Sequence, residues 1–118
     1  MKPHQKLSCW TKSMELVKTV YQITSSFPTE EKYGLTPQMR RSAVSIPVNI
    51  AEGAARKSKK EFIQFLYISL GSMTELDTLV LISSELEFIT KDDSVKLITE
   101  LDSIGKIIFG LIRTLQNE

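Results

Sequence analysis

The chain has 118 residues, of which 42% are hydrophobic and 25% are charged, and its formal net charge is +1 at pH 7. These values predict one globular domain over residues 1–118 with a real core, and they exclude a global field that would attract nucleic acid or a membrane. The single cysteine, Cys9, excludes an internal disulfide and indicates a reducing, cytoplasmic compartment. Cys9 and the single histidine, His4, are too few soft ligands for a tetrahedral zinc site.

Neither a leader sequence nor a membrane span is expected. The N-terminal stretch MKPHQKLSCW contains no long apolar run, which argues against a signal peptide. The longest uninterrupted apolar runs cover residues 79–82 and 107–112, well short of the ~18 apolar residues that a membrane-spanning helix needs.

The first predicted helix covers residues 7–26. Apolar residues recur there at steps of three and four, as on one face of a helix. They are Leu7, Trp10, Met14, Val17 and Tyr21. Phe27-Pro28 ends this segment, because a proline disfavours helical backbone in the residue before it.

The second predicted helix covers residues 36–56. Thr36 followed by Pro37 is a start signal, since threonine caps helices and proline suits the first helical position. The apolar positions are Met39, Ala43, Ile46, Ile50 and Ala54. Pro47 cannot donate a hydrogen bond to the carbonyl of Ala43, which predicts a kink near Pro47. A nearby serine hydroxyl or the Asn49 amide is available to the freed carbonyl.

Two further helices are predicted over residues 58–87 and 91–116. Ser58 and Glu61 have the spacing of a capping box, and Thr90 precedes an acid by the same spacing. The fourth helix has an apolar seam spaced 4-3-4-3-4, which consists of Leu97, Leu101, Ile104, Ile108, Leu111 and Leu115. No run alternates as a half-buried strand does, so the chain is predicted to be an all-α, antiparallel up-down four-helix bundle.

The second and third helices each carry a polar stripe. Steps of three and four on the second helix join Ser42, Ser45, Asn49, Glu52 and Arg56. The third helix has a similar set, Ser69, Gly71, Ser72 and Glu75. Together they predict a hydrogen-bonded seam between the helices, made of Ser45, Asn49, Glu52, Ser72 and Glu75.

Two interpretations of this seam are open. In one, the polar groups cap, kink and orient the helices. In the other, Glu52 and Glu75 form an acid–base or metal site. A di-metal bundle needs Glu-x-x-His pairs, and no histidine follows His4. No phosphate-binding glycine loop is present either. We therefore expect no catalytic residue, no metal and no cofactor, and a protein that is not an enzyme.

The near-neutral total charge hides a polarised chain. Residues 39–60 carry six cations and one acid, whereas residues 61–118 carry four cations and ten acids. The six cations are Arg40, Arg41, Arg56, Lys57, Lys59 and Lys60. Lys59 and Lys60 fall in the first turn of a helix, where cations are mildly unfavourable, so an anionic partner is expected to offset that cost.

Two anionic partners fit this segment, namely nucleic-acid phosphates and the acidic surface of a neighbouring subunit. Each phosphate contact would make binding depend on salt. The only nearby aromatic residues, Phe62 and Phe65, are expected in the core. Base stacking is therefore disfavoured, and recognition of the nucleic-acid backbone is the natural mode.

Motifs in a fixed order span nearly the whole chain. They are Leu7-x-x-Trp10, Glu15-Leu16-Val17 with Val20-Tyr21, Phe27-Pro28, Glu31-Lys32-Tyr33-Gly34-Leu35, Gln38-Met39-Arg40-Arg41-Ser42-Ala43, Ser45-Ile46-Pro47-x-Asn49-Ile50-Ala51-Glu52-Gly53, then Arg56, Ser58, Glu61-Phe62 and Gly71-Ser72-x-x-Glu75-Leu76. In this order they resemble a family of small bacterial four-helix-bundle proteins encoded in intervening sequences of large-subunit ribosomal RNA genes. That family includes the accessory variability protein of diversity-generating retroelements.

The resemblance implies an up-down bundle assembled into a ring-shaped homopentamer. It also implies nucleic-acid binding through a basic surface, beside a reverse transcriptase or another ribonucleoprotein partner, as in the retroelement member. The family's polar signature maps onto Ser45, Asn49, Glu52, Ser72 and Glu75, and its arginines onto Arg40, Arg41 and Arg56. The chain departs from the family pattern at Ser69, Asp77 and Leu79, which affects details of packing on the third helix and leaves the fold expectation unchanged.

Two functions follow from these observations. The first is a non-enzymatic, oligomeric bundle that binds nucleic acid or a ribonucleoprotein through phosphate contacts of its basic segment. The alternative is an interaction or assembly scaffold in which that segment pairs with an acidic neighbouring subunit. We predict that Lys57→Glu with Lys59→Glu weakens RNA binding in the first case and dissociates the oligomer in the second.

Overall fold

Four α-helices follow one another in the computed structural model, which describes all 118 residues. They are α1 (Ser8–Thr24), α2 (Leu35–Ala54), α3 (Lys59–Glu85) and α4 (Lys91–Gln116), and two 3-10 turns cover Pro3–Lys6 and Thr29–Glu31. No β-strand is present. The predicted all-α class is confirmed, and every predicted helix end lies within two residues of the observed one.

Each helix packs against two neighbours, since α1 contacts α2 and α4, and α3 contacts the same two helices. This is an up-down bundle, 47 Å long and 22 Å across. One end carries the first 3-10 turn, the α2–α3 connection and the C-terminus of α4, and we call it the basic end. The other end carries the α1–α2 and α3–α4 connections, where the rings of Phe27 and Phe88 lie 6.0 Å apart, and we call it the acidic end.

The starts of α3 and α4 follow the predicted caps. The Ser58 hydroxyl accepts a hydrogen bond from the Glu61 N–H at 3.1 Å, and the Thr90 hydroxyl accepts one from the Asp93 N–H at the same distance. The start of α2 differs from the prediction, because Thr36 is not its cap. Instead the helix begins at Leu35, whose N–H donates to the Glu31 carboxylate at 3.0 Å.

The end of α3 adopts a Schellman motif without its usual glycine. Glu87 has a φ of 62°, in the left-handed region that favours glycine. The Phe88 N–H donates to the Ser83 carbonyl at 2.9 Å, and the Glu87 N–H donates to the Ser84 carbonyl at 3.0 Å. This closure ends α3 at Glu85, two residues before the predicted end.

All four helices contribute fully buried side chains to one core. The largest are Leu16, Val20, Met39, Ile46, Ile50, Leu66, Leu76, Val80, Leu97, Ile104 and Ile108. On α4 the buried seam follows the prediction as far as Ile108, after which Ile112 continues it in place of Leu111. Cys9 is also buried, and desolvation raises the pKa of its thiol.

The inward face of α1 differs from the predicted face. The buried residues are Cys9, Ser13, Leu16, Val20 and Thr24. Of the predicted apolar face, Leu7, Trp10 and Val17 pack against the core, whereas Met14 and Tyr21 are 39% and 43% exposed. The prediction missed Ser13 and Thr24, whose hydroxyls are satisfied within the helix by donating to the carbonyls of Trp10 and Val20 at 2.9 and 2.7 Å. Such residues are small enough and sufficiently hydrogen-bonded to be buried.

Helix α2 runs through Pro47 without interruption. The Asn49 amide does not reach the freed Ala43 carbonyl. It donates instead to the Ser45 carbonyl at 2.8 Å, and the Ser69 hydroxyl donates to the Ile46 carbonyl at 2.9 Å. Polar side chains therefore donate hydrogen bonds to the two carbonyls that precede the proline. The kink near Pro47 stays a prediction.

Helix α3 is long and apolar enough to cross a membrane, judged by length and composition alone. Only 33% of its most apolar stretch is buried inside the bundle. This feature was not predicted from the sequence, because polar residues interrupt the apolar stretch of α3 and leave only short uninterrupted apolar runs. The core helix of a soluble bundle passes the same test, so the finding describes an apolar surface and does not place α3 in a bilayer.

Candidate nucleic-acid interface and the polar seam

The α2–α3 connection forms an exposed corner of cations at the basic end. We call Arg56, Lys57, Lys59 and Lys60 the basic corner, and all four residues are exposed. The Arg56 guanidinium lies over the Phe65 ring, 4.8 Å from its centroid, and Lys59 Nζ lies 2.7 Å from Glu118 Oε1. Lys57 and Lys60 form no ion pair. The basic corner therefore presents unneutralised positive charge to solvent.

Lys59 and Lys60 lie at the positive end of the α3 dipole, and other groups of the chain offset part of that unfavourable interaction. The Ser58 cap and Glu61 complement the positive end of α3, and the Glu118 carboxylate pairs with Lys59. The Lys59 and Glu118 side chains are about half exposed, so their ion pair contributes at most ~1 kcal/mol. Lys60 has no such partner.

Arg40 and Arg41 lie far from the basic corner. Fifteen residues of α2 separate Arg41 from Arg56, which is about 22 Å at 1.5 Å per residue. Arg40 is half-buried and ties α2 to α1. Its Nε donates to the Thr24 hydroxyl at 2.9 Å, its Nη2 donates to the Tyr21 carbonyl at 3.4 Å, and its guanidinium lies 4.5 Å from the centre of the Tyr21 ring. The predicted six-cation segment is thus divided into two separate groups.

The fold brings further cations to the basic end that the sequence analysis did not include. Lys2 precedes the first 3-10 turn and Lys6 ends it, and that turn contacts α2, while Arg113 comes from the last turn of α4. No sequence signal marks them, since they are distant from residues 56–60 along the chain. The acidic end has the opposite charge, because six acids outnumber two lysines there. The acids are Glu30, Glu31, Glu85, Glu87, Asp92 and Asp93, and the lysines are Lys32 and Lys91.

A polar seam joins α2 to α3 beside the core. The hydroxyl oxygens of Ser45 and Ser72 are 2.8 Å apart and share a hydrogen bond. The Asn49 amide donates to the Ser45 hydroxyl at 2.9 Å as well as to its carbonyl. The Ser69 hydroxyl, buried and donating to α2, extends the contact. These groups satisfy one another, and no buried side-chain polar atom lacks a partner.

Glu52 and Glu75 lie outside this seam. Both are exposed, and neither makes an ion pair. The fold gathers no group of three or more histidine, cysteine, aspartate or glutamate side chains that could hold a metal ion. The hydrogen-bonded part of the predicted seam therefore consists of Ser45, Asn49 and Ser72, with Ser69 added.

Gly53 permits the close approach of α2 and α3 next to the basic corner. A Cβ atom there would lie 2.7 Å from the Phe65 Cβ and 2.9 Å from the Phe62 Cδ1. Because such contacts are too short for real Cβ atoms, the residue must be glycine for the helices to meet as they do. The tight contact fixes Phe65, over which the Arg56 guanidinium lies.

The fold and the site define a small helical-bundle protein with one basic end. Residues 5–110 match the family model of the 23S rRNA-intervening sequence proteins, and the chain belongs to that family. The resemblance found in the sequence is thereby confirmed. No curated protein matches the chain.

A solved structure has the same architecture. It is a protein with unknown function from the S23 ribosomal protein family of Bacteroides thetaiotaomicron. The two chains are 23% identical and superpose with a TM-score of 0.79, over 88% of this chain and 97% of the other. At this identity the similarity establishes the fold and nothing about activity.

Proposed function

We propose that the protein is a non-enzymatic, oligomeric bundle that binds nucleic acid, or the nucleic acid of a ribonucleoprotein, through phosphate contacts of the basic corner. The observation that carries the proposal is the state of Lys57 and Lys60. Both are exposed at a helix–helix corner and neither is paired within the chain. Lys2, Lys6 and Arg113 at the same end add to the positive field.

The surroundings of the corner favour binding to the phosphate backbone. Phe65 is half-buried and covered by Arg56, and Phe62 packs against the core, so neither offers a free face to a base. Lysine ammonium groups act as mobile point charges, which suits phosphates more than base edges. We infer tolerant recognition of sequence and a strong dependence on salt.

Assembly into a homopentameric ring, cytoplasmic localisation and partnership with a reverse transcriptase or another ribonucleoprotein belong to the same proposal. They rest on the resemblance of the motifs. Glu52 and Glu75, the only candidates for acid–base chemistry, are exposed and isolated, which supports a binding role over an enzymatic one.

The test compares two double variants that change the net charge equally. Lys57→Glu with Lys60→Glu alters the basic corner, whereas Lys91→Glu with Lys96→Glu alters exposed lysines near the acidic end. Binding of each protein to a structured RNA and to duplex DNA is measured over a salt series. We expect the corner variant to bind at least ~10-fold more weakly at low salt and to lower the salt slope by about two, since each lost phosphate contact lowers it by about one.

The control variant is expected to bind within ~2-fold of the wild type. Equal losses in both double variants would mean that net charge alone drives binding and that the corner is no site. No binding of the wild type at low salt would overturn the proposal.

The alternative function is an assembly scaffold, and the opposite charges of the two ends favour it. Six acids surround the acidic end, so the basic corner of one subunit has a complementary surface on another copy. In that case the Lys57→Glu, Lys60→Glu variant dissociates the oligomer. Measuring its mass by light scattering beside the binding assay separates the two functions.

A further inference from the structure

The solvent side of α3 carries an apolar face that the bundle does not cover. Tyr67, Ile68 and Leu81 are each 51% exposed, and Ile82 is 41% exposed. Gly71 lies between the two pairs, and a Cβ atom there would meet nothing within 4 Å. These five residues recur at helical spacing along one side of α3, which we call the α3 face.

The charge of the α3 face is negative. Glu75 and Glu85 are exposed on the same side of the helix, and no lysine or arginine occurs between residues 61 and 90. The basic corner flanks the start of α3, but the carboxylates of Glu75 and Glu85 lie on the face itself and would be repelled by an anionic membrane surface. The face is therefore a poor match for a bilayer. It fits a partner that is apolar and positively charged.

A second exposed apolar surface, the α1–α2 groove, has the opposite charge. It is a cleft of about 650 Å³, lined by Tyr21, Pro37, Arg40, Arg41, Val44, Ser45 and Val48. Val44 and Val48 are 36% and 46% exposed. Arg41 is exposed without an ion pair, and no acid lines the cleft. The Arg40 guanidinium, held by Thr24, is a fixed positive charge at its edge.

The two surfaces lie on different sides of the bundle and are complementary. The groove lies between α1 and α2, whereas the α3 face belongs to the helix diagonal to α1. Pairing of two α3 faces would oppose glutamates, and pairing of two grooves would oppose arginines. Pairing of a groove with an α3 face places Arg41 opposite carboxylates and apolar residues opposite apolar residues. Only this unlike pairing satisfies both the charge and the apolar surface.

We propose that the α3 face of one copy docks into the α1–α2 groove of the next, in a head-to-tail interface. The inference rests on the oligomer of the proposed function and assigns its surfaces. In this interface Arg41 acts between subunits and not in the nucleic-acid site. The basic corner, about 22 Å away along α2, stays free to bind nucleic acid. Such an interface closes into a ring if the rotation between neighbours permits.

The test uses two variants that each destroy one surface. Ile68→Glu with Ile82→Glu disables the α3 face, and Val44→Glu with Val48→Glu disables the groove. All four positions are exposed, so each variant is expected to fold, which helical circular dichroism and melting check. We expect each variant alone to be monomeric, with association at least ~10-fold weaker than in the wild type. An equimolar mixture is expected to form a dimer of one copy of each, because one intact groove and one intact α3 face remain.

Sedimentation and native mass measurements up to high micromolar concentration distinguish the outcomes. Folded variants that stay monomeric when mixed would overturn the head-to-tail interface. A wild type that is monomeric, variants that keep the wild-type mass, or wild type that binds lipid vesicles as a monomer would overturn it as well. The Lys57→Glu, Lys60→Glu variant should keep the wild-type mass. If assembly behaves as expected while RNA is not bound, the inference stands and the proposed nucleic-acid function fails.

Discussion

Gly53→Ala is expected to destabilise the bundle although alanine is the better helix former. The added Cβ would lie 2.7 Å from the Phe65 Cβ, 2.9 Å from the Phe62 Cδ1 and 3.3 Å from the Phe62 carbonyl oxygen. Ordinary contact begins at 3.4 Å, so the nearest pair must separate by 3.4 − 2.7 = 0.7 Å. A Cβ and a main-chain oxygen cannot swing away as a flexible side-chain tip does, so α2 and α3 must move apart.

The magnitude follows from two opposing effects. Overpacking a core typically costs ~1–3 kcal/mol, and the rigidity of these contacts places the cost in the upper part of that range. Alanine in place of glycine recovers at most ~1 kcal/mol of helix propensity, and less here because Gly53 is the penultimate residue of α2. The net loss is about 1–2 kcal/mol, which lowers the Tm by roughly 4–10 °C for a domain of this size.

Urea unfolding followed by circular dichroism measures the effect, with all variants at one protein concentration because assembly alters apparent stability. Gly71→Ala is the matched control, since its new Cβ meets nothing within 4 Å. In a monomeric background it should stabilise by up to ~1 kcal/mol. A Gly53→Ala protein as stable as the wild type would refute the close packing of α2 on Phe62 and Phe65.

Substitutions at three other positions test local contacts by thermal or urea unfolding. Asn49→Ala should cost about 1 kcal/mol, because the amide's hydrogen bonds to Ser45 are lost, and unchanged melting would contradict this. Arg40→Ala should cost about 1–2 kcal/mol, and Arg40→Lys should recover little, because a lysine cannot donate in the same planar geometry to Thr24. Glu87→Gly should stabilise by roughly 0.5–1 kcal/mol by relieving the positive φ, and a destabilised protein would argue against the left-handed closure.

The helices were predictable because their signals are local. The caps at Ser58 and Thr90 each involve residues three apart, so the same short stretch contains both partners of the hydrogen bond. The helical period of α2 is similarly self-contained, and its predicted residues from Met39 to Ile50 are all buried. The end of α3 was less predictable. A residue with left-handed backbone at a helix end is usually a glycine, which can be recognised in the sequence, and here it is Glu87.

The candidate site was only partly predictable. The basic corner is contiguous in sequence, so its charge and exposure could be anticipated from a turn between two helices. The same reasoning grouped Arg40 and Arg41 with it, because charge counted along a chain ignores the rise of a helix. The structure separates the groups and uses Arg40 to hold α1.

Four helices, the caps of α3 and α4, the polar pairing of Ser45 with the third helix and a strong asymmetry of charge could all be derived from the sequence alone. These depend on neighbours within a few turns. The tertiary structure alone decided that α1 packs inward through Ser13 and Thr24, that Glu52 and Glu75 are exposed without ion pairs, and that Lys2 and Lys6 lie at the basic end. Each of these depends on which elements meet in space, since a helix with two plausible faces buries the one that its two neighbouring helices can cover.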